Sequence, residues 1–211
     1  QTADRTGLAP LAQHLAAAGM VAVNTTHRAV EAGARFPEPV ADVLCAVGFA
    51  VQRAGDAGIA PGEVVVVGHS SGGHLAALAV LGGDHFRAAC PYPPAAIDAL
   101  VGLAGAYDVR ALRDLAEPLF GTGPEVDPAA WRDGDPLAWA RKGTGSTSVR
   151  VVLAHGTADA DLPVSMTTGF ADALTAGGYE VTVATVPGAD HHSIYSAQVI
   201  GPRLVAWLGA G

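Results

Sequence analysis

The chain has 211 residues, half of them hydrophobic and only 15% charged, with a formal charge of −8. This composition excludes intrinsic disorder, and an acidic balance without any Lys/Arg cluster excludes an electrostatic nucleic-acid binder. No apolar run reaches the roughly 18 to 20 residues of a bilayer span, and the length suits one well-buried core.

Leu8, Leu11, Leu15 and Ala18 share one helical face, and Gly19 reads as the stop. Residues 20–24 read as a short apolar strand. Val40, Val43, Leu44, Val47 and Val51 repeat at helical spacing, with Pro37 and Pro39 before them and Gly55 and Gly58 after. Residues 63–68 hold four consecutive valines, which predicts a strand buried on both faces, as in a parallel sheet. Residues 74–81 are apolar all round and predict a buried helix. Further strands are expected within 96–106, at 149–154 and at 179–186, with a helix over 163–176. Ile200, Leu204, Trp207 and Leu208 mark a last helix, and Pro202 predicts a boundary or kink there. Cys45 and Cys90 lie in apolar surroundings. A disulfide is possible, but buried free thiols are the expected state.

Alternating helices and strands predict an α/β fold with a mostly parallel sheet and helices on both faces, in a single domain over 1–211. Residues 108–147 break the alternation and are expected to form an excursion above the sheet. Within them, Asp127-Pro128 and Asp135-Pro136 each read as an N-cap followed by proline at the first helical position, and Asp108 reads as a cap for a piece running through Leu115. Leu119, Phe120, Trp131 and Trp139 are candidates for an apolar pocket, with packing of the excursion onto the body as the alternative. Residues 143–148 read as a polar linker.

The chemistry concentrates where the valine run meets Gly68-His69-Ser70-Ser71-Gly72. A buried strand, a G-x-S-x-G turn and a buried helix in succession form the setting that presents a serine hydroxyl at a sheet edge. Small residues at Gly68 and Gly72 are expected to let the turn be tight. Ser70 is the candidate nucleophile, Ser71 its competitor, and the Ser71 amide a candidate oxyanion donor. A serine needs a base. His191 and His192 follow the last strand on a loop that can reach back over the sheet edge. Asp159 and Asp161 follow the strand end at His155, and either could orient the imidazole. Asp159 lies 89 residues after Ser70 and His191 lies 32 after Asp159. That Ser, Asp, His order is the one an α/β-hydrolase sheet produces. His155 itself reads as a strand-end or loop-fixing residue, His74 as a satisfied group in or near the core, and His69 as a pocket-lining or hydrogen-bonded group. His155, Asp159, His191 and His192 have ligand types that suit zinc, but the serine turn makes a metal unnecessary, and no cofactor is expected.

These segments resemble the esterase/lipase superfamily of α/β-hydrolases. The branches most similar are hormone-sensitive-lipase-like carboxylesterases, kynurenine-formamidase-like enzymes and feruloyl/acetylxylan-type esterases. The likeness runs through Arg35-Phe36-Pro37 to Asp42, Gly68 to Ala76, Gly105-Ala106-Tyr107-Asp108, His155-Gly156-Thr157-Ala158-Asp159 and Gly188-Ala189-Asp190-His191. It implies Ser70 as nucleophile, Asp159 as acid and His191 as base; by their places beside and above that site, His69 and Tyr107 are the candidate substrate contacts. It implies a small-molecule ester as substrate, with an amide of the arylformamidase type, or a non-catalytic binding module, as alternatives. Such proteins carry a His-Gly-Gly oxyanion loop after an early strand. No His-Gly-Gly occurs here, so the domain is expected to be incomplete at its N-terminus. The compartment and oligomeric state stay open.

Overall fold

The computed structural model describes residues 5–60, 62–143 and 148–209. Four strands, β1 (Val65–His69), β2 (Ala99–Leu103), β3 (Arg150–Gly156) and β4 (Glu180–Val186), form one sheet in chain order, and every pair is parallel. The helices are α1 (Ala9–Ala17), α2 (Glu38–Asp56), α3 (Ser71–Gly82), α4 (Arg113–Phe120), α5 (Pro128–Asp133), α6 (Pro136–Lys142), α7 (Val164–Ala176) and α8 (Gly201–Leu208). Strand residues alternate between faces. Leu100, Val151 and Leu153 therefore meet Ala77 and Leu81 of α3, Ala140 of α6, and Phe170 and Leu174 of α7. Val101, Leu103, Val152 and Ala154 meet Leu11 and Leu15 of α1 and Ile200 and Leu204 of α8 on the other side. A third cluster joins Val40 and Leu44 of α2 to Leu75, Leu78 and Ala79 of α3. None of the described helices is long and apolar enough to cross a membrane.

Several expectations are corrected. Residues 20–24 form no helix and join no strand ladder, and Val21 and Val23 stand 54% and 39% exposed. An apolar run becomes a strand only when a neighbour accepts its hydrogen bonds, and the described sheet ends at β1. For the same reason the valines of β1 are only half-buried, whereas every residue of β2 is buried. Asp127 and Asp135 do cap α5 and α6, accepting from Ala130 N and Leu137 N. Asp108 instead accepts from Arg110 N and Ala111 N in a turn before α4, which starts five residues later. Pro202 lies in the first turn of α8 and starts the helix without kinking it. The linker expected over 143–148 lies mostly outside the described residues.

The cysteines are not free. Cys45 on α2 is disulfide-bonded to Cys90 in the connection leading to β2, with Cα atoms 5.7 Å apart. The cross-link closes 45 residues of chain around α3 and β1. A loop of that size predicts stabilisation of about 4 kcal/mol if the effect lies in unfolded-chain entropy. Replacing both cysteines with alanine should lower the unfolding free energy by about 2 to 4 kcal/mol in urea titrations, and a loss below about 0.5 kcal/mol would refute this.

Candidate active site

The parallel register gathers the ends of β1, β3 and β4 at one sheet edge, so the loops that follow them meet there. Ser70 sits between β1 and α3 with φ 52° and ψ −118°, a conformation most side chains avoid. Its surroundings impose it. Ser70 N donates to Leu103 O at 3.0 Å, and Ser70 O accepts from His74 N at 3.1 Å and Ala106 N at 3.2 Å. Close backbone approaches do the rest. A Cβ on Gly68 would overlap the Gly72 carbonyl, and one on Gly73 would lie 2.9 Å from Gly105 Cα. A Cβ on Gly72 meets nothing within 4 Å. The expected steric need at Gly72 is thus corrected: the turn requires the backbone of Gly72 near Gly68, and the second position that must lack a side chain is Gly73.

His191 faces Ser70 across this edge. Its Nε2 lies 2.9 Å from Ser70 Oγ, and its Nδ1 lies 2.8 Å from Asp159 Oδ2. A carboxylate only accepts, so Nδ1 carries the hydrogen and Nε2 is free to accept from the serine hydroxyl. Asp159 has no side-chain exposure. Burial favours its neutral form. That effect is outweighed by donors from Leu162 N and Asp161 N, each 2.9 Å from Oδ1, and from His191, which together hold the carboxyl below the usual carboxylate range. The arrangement can pass a proton from Ser70 to His191 while Asp159 stays ionised. The structure does not bring the alternatives to Ser70. His192 points outward, 78% exposed, and lies 3.6 Å from Asp161.

A BD-FAE family model matches residues 1–174 of the sequence. The chain belongs to the BD-FAE family. Among curated proteins it is 29% identical over 190 residues to esterase LipC of Mycobacterium tuberculosis (strain ATCC 25618 / H37Rv), covering 84% of this chain and 46% of LipC. It is 26% identical over 182 residues to esterase LipQ of the same organism, covering 81% and 42%. The chain spans about half the length of these curated relatives. A truncated form of a carbohydrate esterase from gut microbiota superposes with a TM-score of 0.75 at 21% identity, over 88% of this chain and 72% of that one. Propionate-bound Est2 of Thermogutta terrifontis superposes with a TM-score of 0.73 at 23% identity, over 99% and 76%. These likenesses identify the α/β-hydrolase fold.

Within this BD-FAE chain, the two expected substrate contacts are differently employed. Tyr107 has no exposure. Gly102 and Gly105 leave a slot that its ring fills, and it stacks on Phe170 with centroids 4.2 Å apart. His69 donates its Nε2–H to the carbonyl of His191 at 2.7 Å, and its ring stands 4.7 Å from that of His191 and 4.5 Å from that of Tyr195. It anchors the loop that carries His191. Sequence reading missed three further anchors. Asp190 accepts from His192 N and Ser193 N while Ser193 Oγ accepts from Asp190 N, a reciprocal cap that fixes the turn under His191. Thr157 Oγ1 accepts from Gly188 N, tying the Asp159 loop to the His191 loop. Gly156 has no room for a Cβ against the Ala189 carbonyl. The D-x-x-S spacing of Asp190 and Ser193 was the one signal available beforehand.

A cleft of about 310 Å³ opens beside Ser71. Ser71, His74 and Leu75 of α3 form its floor, residues 27–31 one wall, and Leu115, Pro118 and Leu119 of α4 the other. Arg28 pins the first wall to α2 through Asp42, at 2.9 to 3.1 Å, and Glu38, at 2.8 Å. Of the four apolar candidates in the excursion, only Leu119 lines the cleft. Phe120 stacks on the fully buried Trp131, and Trp139 packs on Phe86. Among the described residues no group of three or more His, Cys, Asp or Glu side chains is placed to hold a metal ion.

The glycine geometry gives one prediction. Gly68→Ala should destabilise the protein by about 2 kcal/mol or more, as overpacking against backbone does, whereas Gly72→Ala should be neutral or slightly stabilising. Equal urea midpoints for the two variants would refute it. Buried histidines give another. Burial pushes His69 and His74 each down to about 4, His74 holding its Nε2 against Gly134 O at 2.8 Å. Burial, helped by nearby Asp108, pushes Asp135 up to about 6. Unfolding therefore takes up a proton at each histidine between about pH 6.5 and 4 and releases one at Asp135 between about pH 6 and 4. The net uptake makes stability fall on acidification through that window. His74→Gln, which keeps a donor for Gly134 O, should shrink the loss between pH 6.5 and 4.5 by about 2 kcal/mol in urea titrations. An unchanged loss would show that His74 is not the group that must be charged.

Proposed function

We propose that the protein is a serine hydrolase that cleaves carboxylic esters of small acyl groups through an acyl-enzyme on Ser70. The observation that carries the reading is the unbroken hydrogen-bonded line from Ser70 Oγ through His191 to Asp159. Ser70 Oγ attacks the acyl carbon and passes its proton to His191 Nε2. Asp159 keeps the imidazole in the required tautomer and stabilises its cation. The amide of Ser71 opens α3, where first-turn N–H groups have no partner within the helix, and it donates to the developing oxyanion. His191 then protonates the departing alcohol, and a water activated by the same nitrogen releases the acid. The esterase relatives LipC and LipQ support an ester as substrate. The small cleft beside Ser71, walled by α4, supports a short acyl group.

Ser70→Ala should lower turnover of a nitrophenyl ester by about 10⁴-fold or more with the fold retained. A fluorophosphonate probe should label Ser70 and leave the variant unlabelled. Retained turnover in the variant would overturn the mechanism, and an unlabelled parent would favour a binding module. Across acetyl, butyryl and long-chain nitrophenyl esters the rate should fall with chain length, and preference for the longest would overturn the small-acyl assignment. N-formylkynurenine, assayed beside them, should be the poorer substrate.

A further inference from the structure

His155, near the end of β3, has no solvent exposure and approaches the same Asp159 oxygen as His191. Its Nδ1 is 2.7 Å from Thr167 Oγ1 on α7. Its Nε2 is 3.0 Å from the Leu162 carbonyl and 3.2 Å from Asp159 Oδ2. Both neighbours of Nε2 are acceptors, so Nε2 carries the hydrogen, which it donates to the Leu162 carbonyl while Asp159 Oδ2 lies alongside. Nδ1 then accepts from the Thr167 hydroxyl. The tautomer is fixed, and it is the opposite of the one His191 needs. Asp159 Oδ2 thus stands between two imidazole N–H groups, while Oδ1 holds two backbone amides.

We propose that His155 is a positioning residue for the triad acid. The positive end of its Nε2–H dipole, fixed by the Leu162 carbonyl and 3.2 Å from Asp159 Oδ2, aims that oxygen at His191 and offsets part of the charge His191 faces. The proposal rests on the serine-hydrolase reading above. His155 touches neither substrate nor Ser70, so it acts only through Asp159. Removing its N–H leaves more negative charge for the His191 cation. The apparent pKa of the acidic limb in kcat/KM therefore rises. Looser aim of the carboxylate also lowers kcat, while KM, set in the cleft, stays in place.

The test compares His155→Gln, whose amide nitrogen can occupy the Nε2 position, with His155→Asn, which reaches only toward Thr167, and with His155→Leu. Each is assayed with a nitrophenyl acetate between pH 5 and 9, beside Ser70→Ala. The Asn and Leu variants should shift the acidic limb upward by about half a unit or more and lower kcat several-fold with KM within twofold. Gln should restore the limb. If Leu does not fold, the contrast between Asn and Gln decides. An unmoved limb in Asn, or one shifted equally in Gln, overturns the proposal while a dead Ser70→Ala leaves the triad standing. Full turnover in Ser70→Ala overturns the triad reading itself, and this proposal with it.

Discussion

Gly68 lies against the carbonyl of Gly72, Gly73 against Gly105, and Gly156 against the carbonyl of Ala189. The rest of the site depends on these three approaches. The first two fold β1 sharply into α3 and force Ser70 into its positive-φ conformation. The third lets the loop after β3 lie against the loop after β4, so that Asp159 and His191 come within hydrogen-bond reach. Interior packing is dense enough that one extra methyl at any of them must displace backbone. The strain at Ser70 is therefore sustained by the sheet and not by the turn itself. Leu103 and Ala106 hold its amide and carbonyl from β2 and the segment after it.

Three separate links then hold the His191 loop, one to the end of β1 and two to the Asp159 loop. The His69 ring binds the His191 carbonyl, Thr157 binds the Gly188 amide, and Ala158 N donates to Ala189 O at 2.9 Å. Each uses a short side chain or the backbone, so little rotamer freedom is lost in making it. Below them, the Asp190–Ser193 cap fixes the direction in which His191 leaves the chain. A base whose ring must sit within 3 Å of two partners needs this redundancy, because a small rotation of the loop would break one bond or the other.

Much of this was legible in the chain. Parallel strands buried on both faces show as apolar runs, which is why β2 and β3 were found where expected, whereas β4, a largely exposed edge strand, showed through its valines and threonines. The helical repeat from Val40 to Val51 marked α2, and the two Asp-Pro pairs marked the starts of α5 and α6. That Ser70, Asp159 and His191 would meet was readable because each occupies a position defined by its neighbours along the chain. What was hidden depends on partners far away in sequence. The hydrogen bond of His69 runs to a residue 122 positions on, and the pairing of Cys45 with Cys90 follows from where α2 packs. Tyr107 looked like a pocket residue because no local pattern announces the slot between Gly102 and Gly105. Residues 20–24 looked like a strand because an apolar run carries no mark of whether a neighbouring strand exists.

Asp159 shows why a buried acid belongs behind the base. An isolated carboxylate without solvent contact would take up a proton, and a neutral acid could not stabilise a cation. Three N–H groups prevent that: two amides from its own turn and the imidazole of His191. Two of them come at no cost in side-chain order, since the turn after Asp159 places Asp161 N and Leu162 N beside Oδ1 as it forms. With the carboxyl held below the usual range, the proton that the proposed mechanism takes from Ser70 would stop at His191. The carboxylate receives charge stabilisation from several weak donors and returns it to one strong partner, so in the proposed mechanism the proton transfer would end where it can be reversed toward the leaving group.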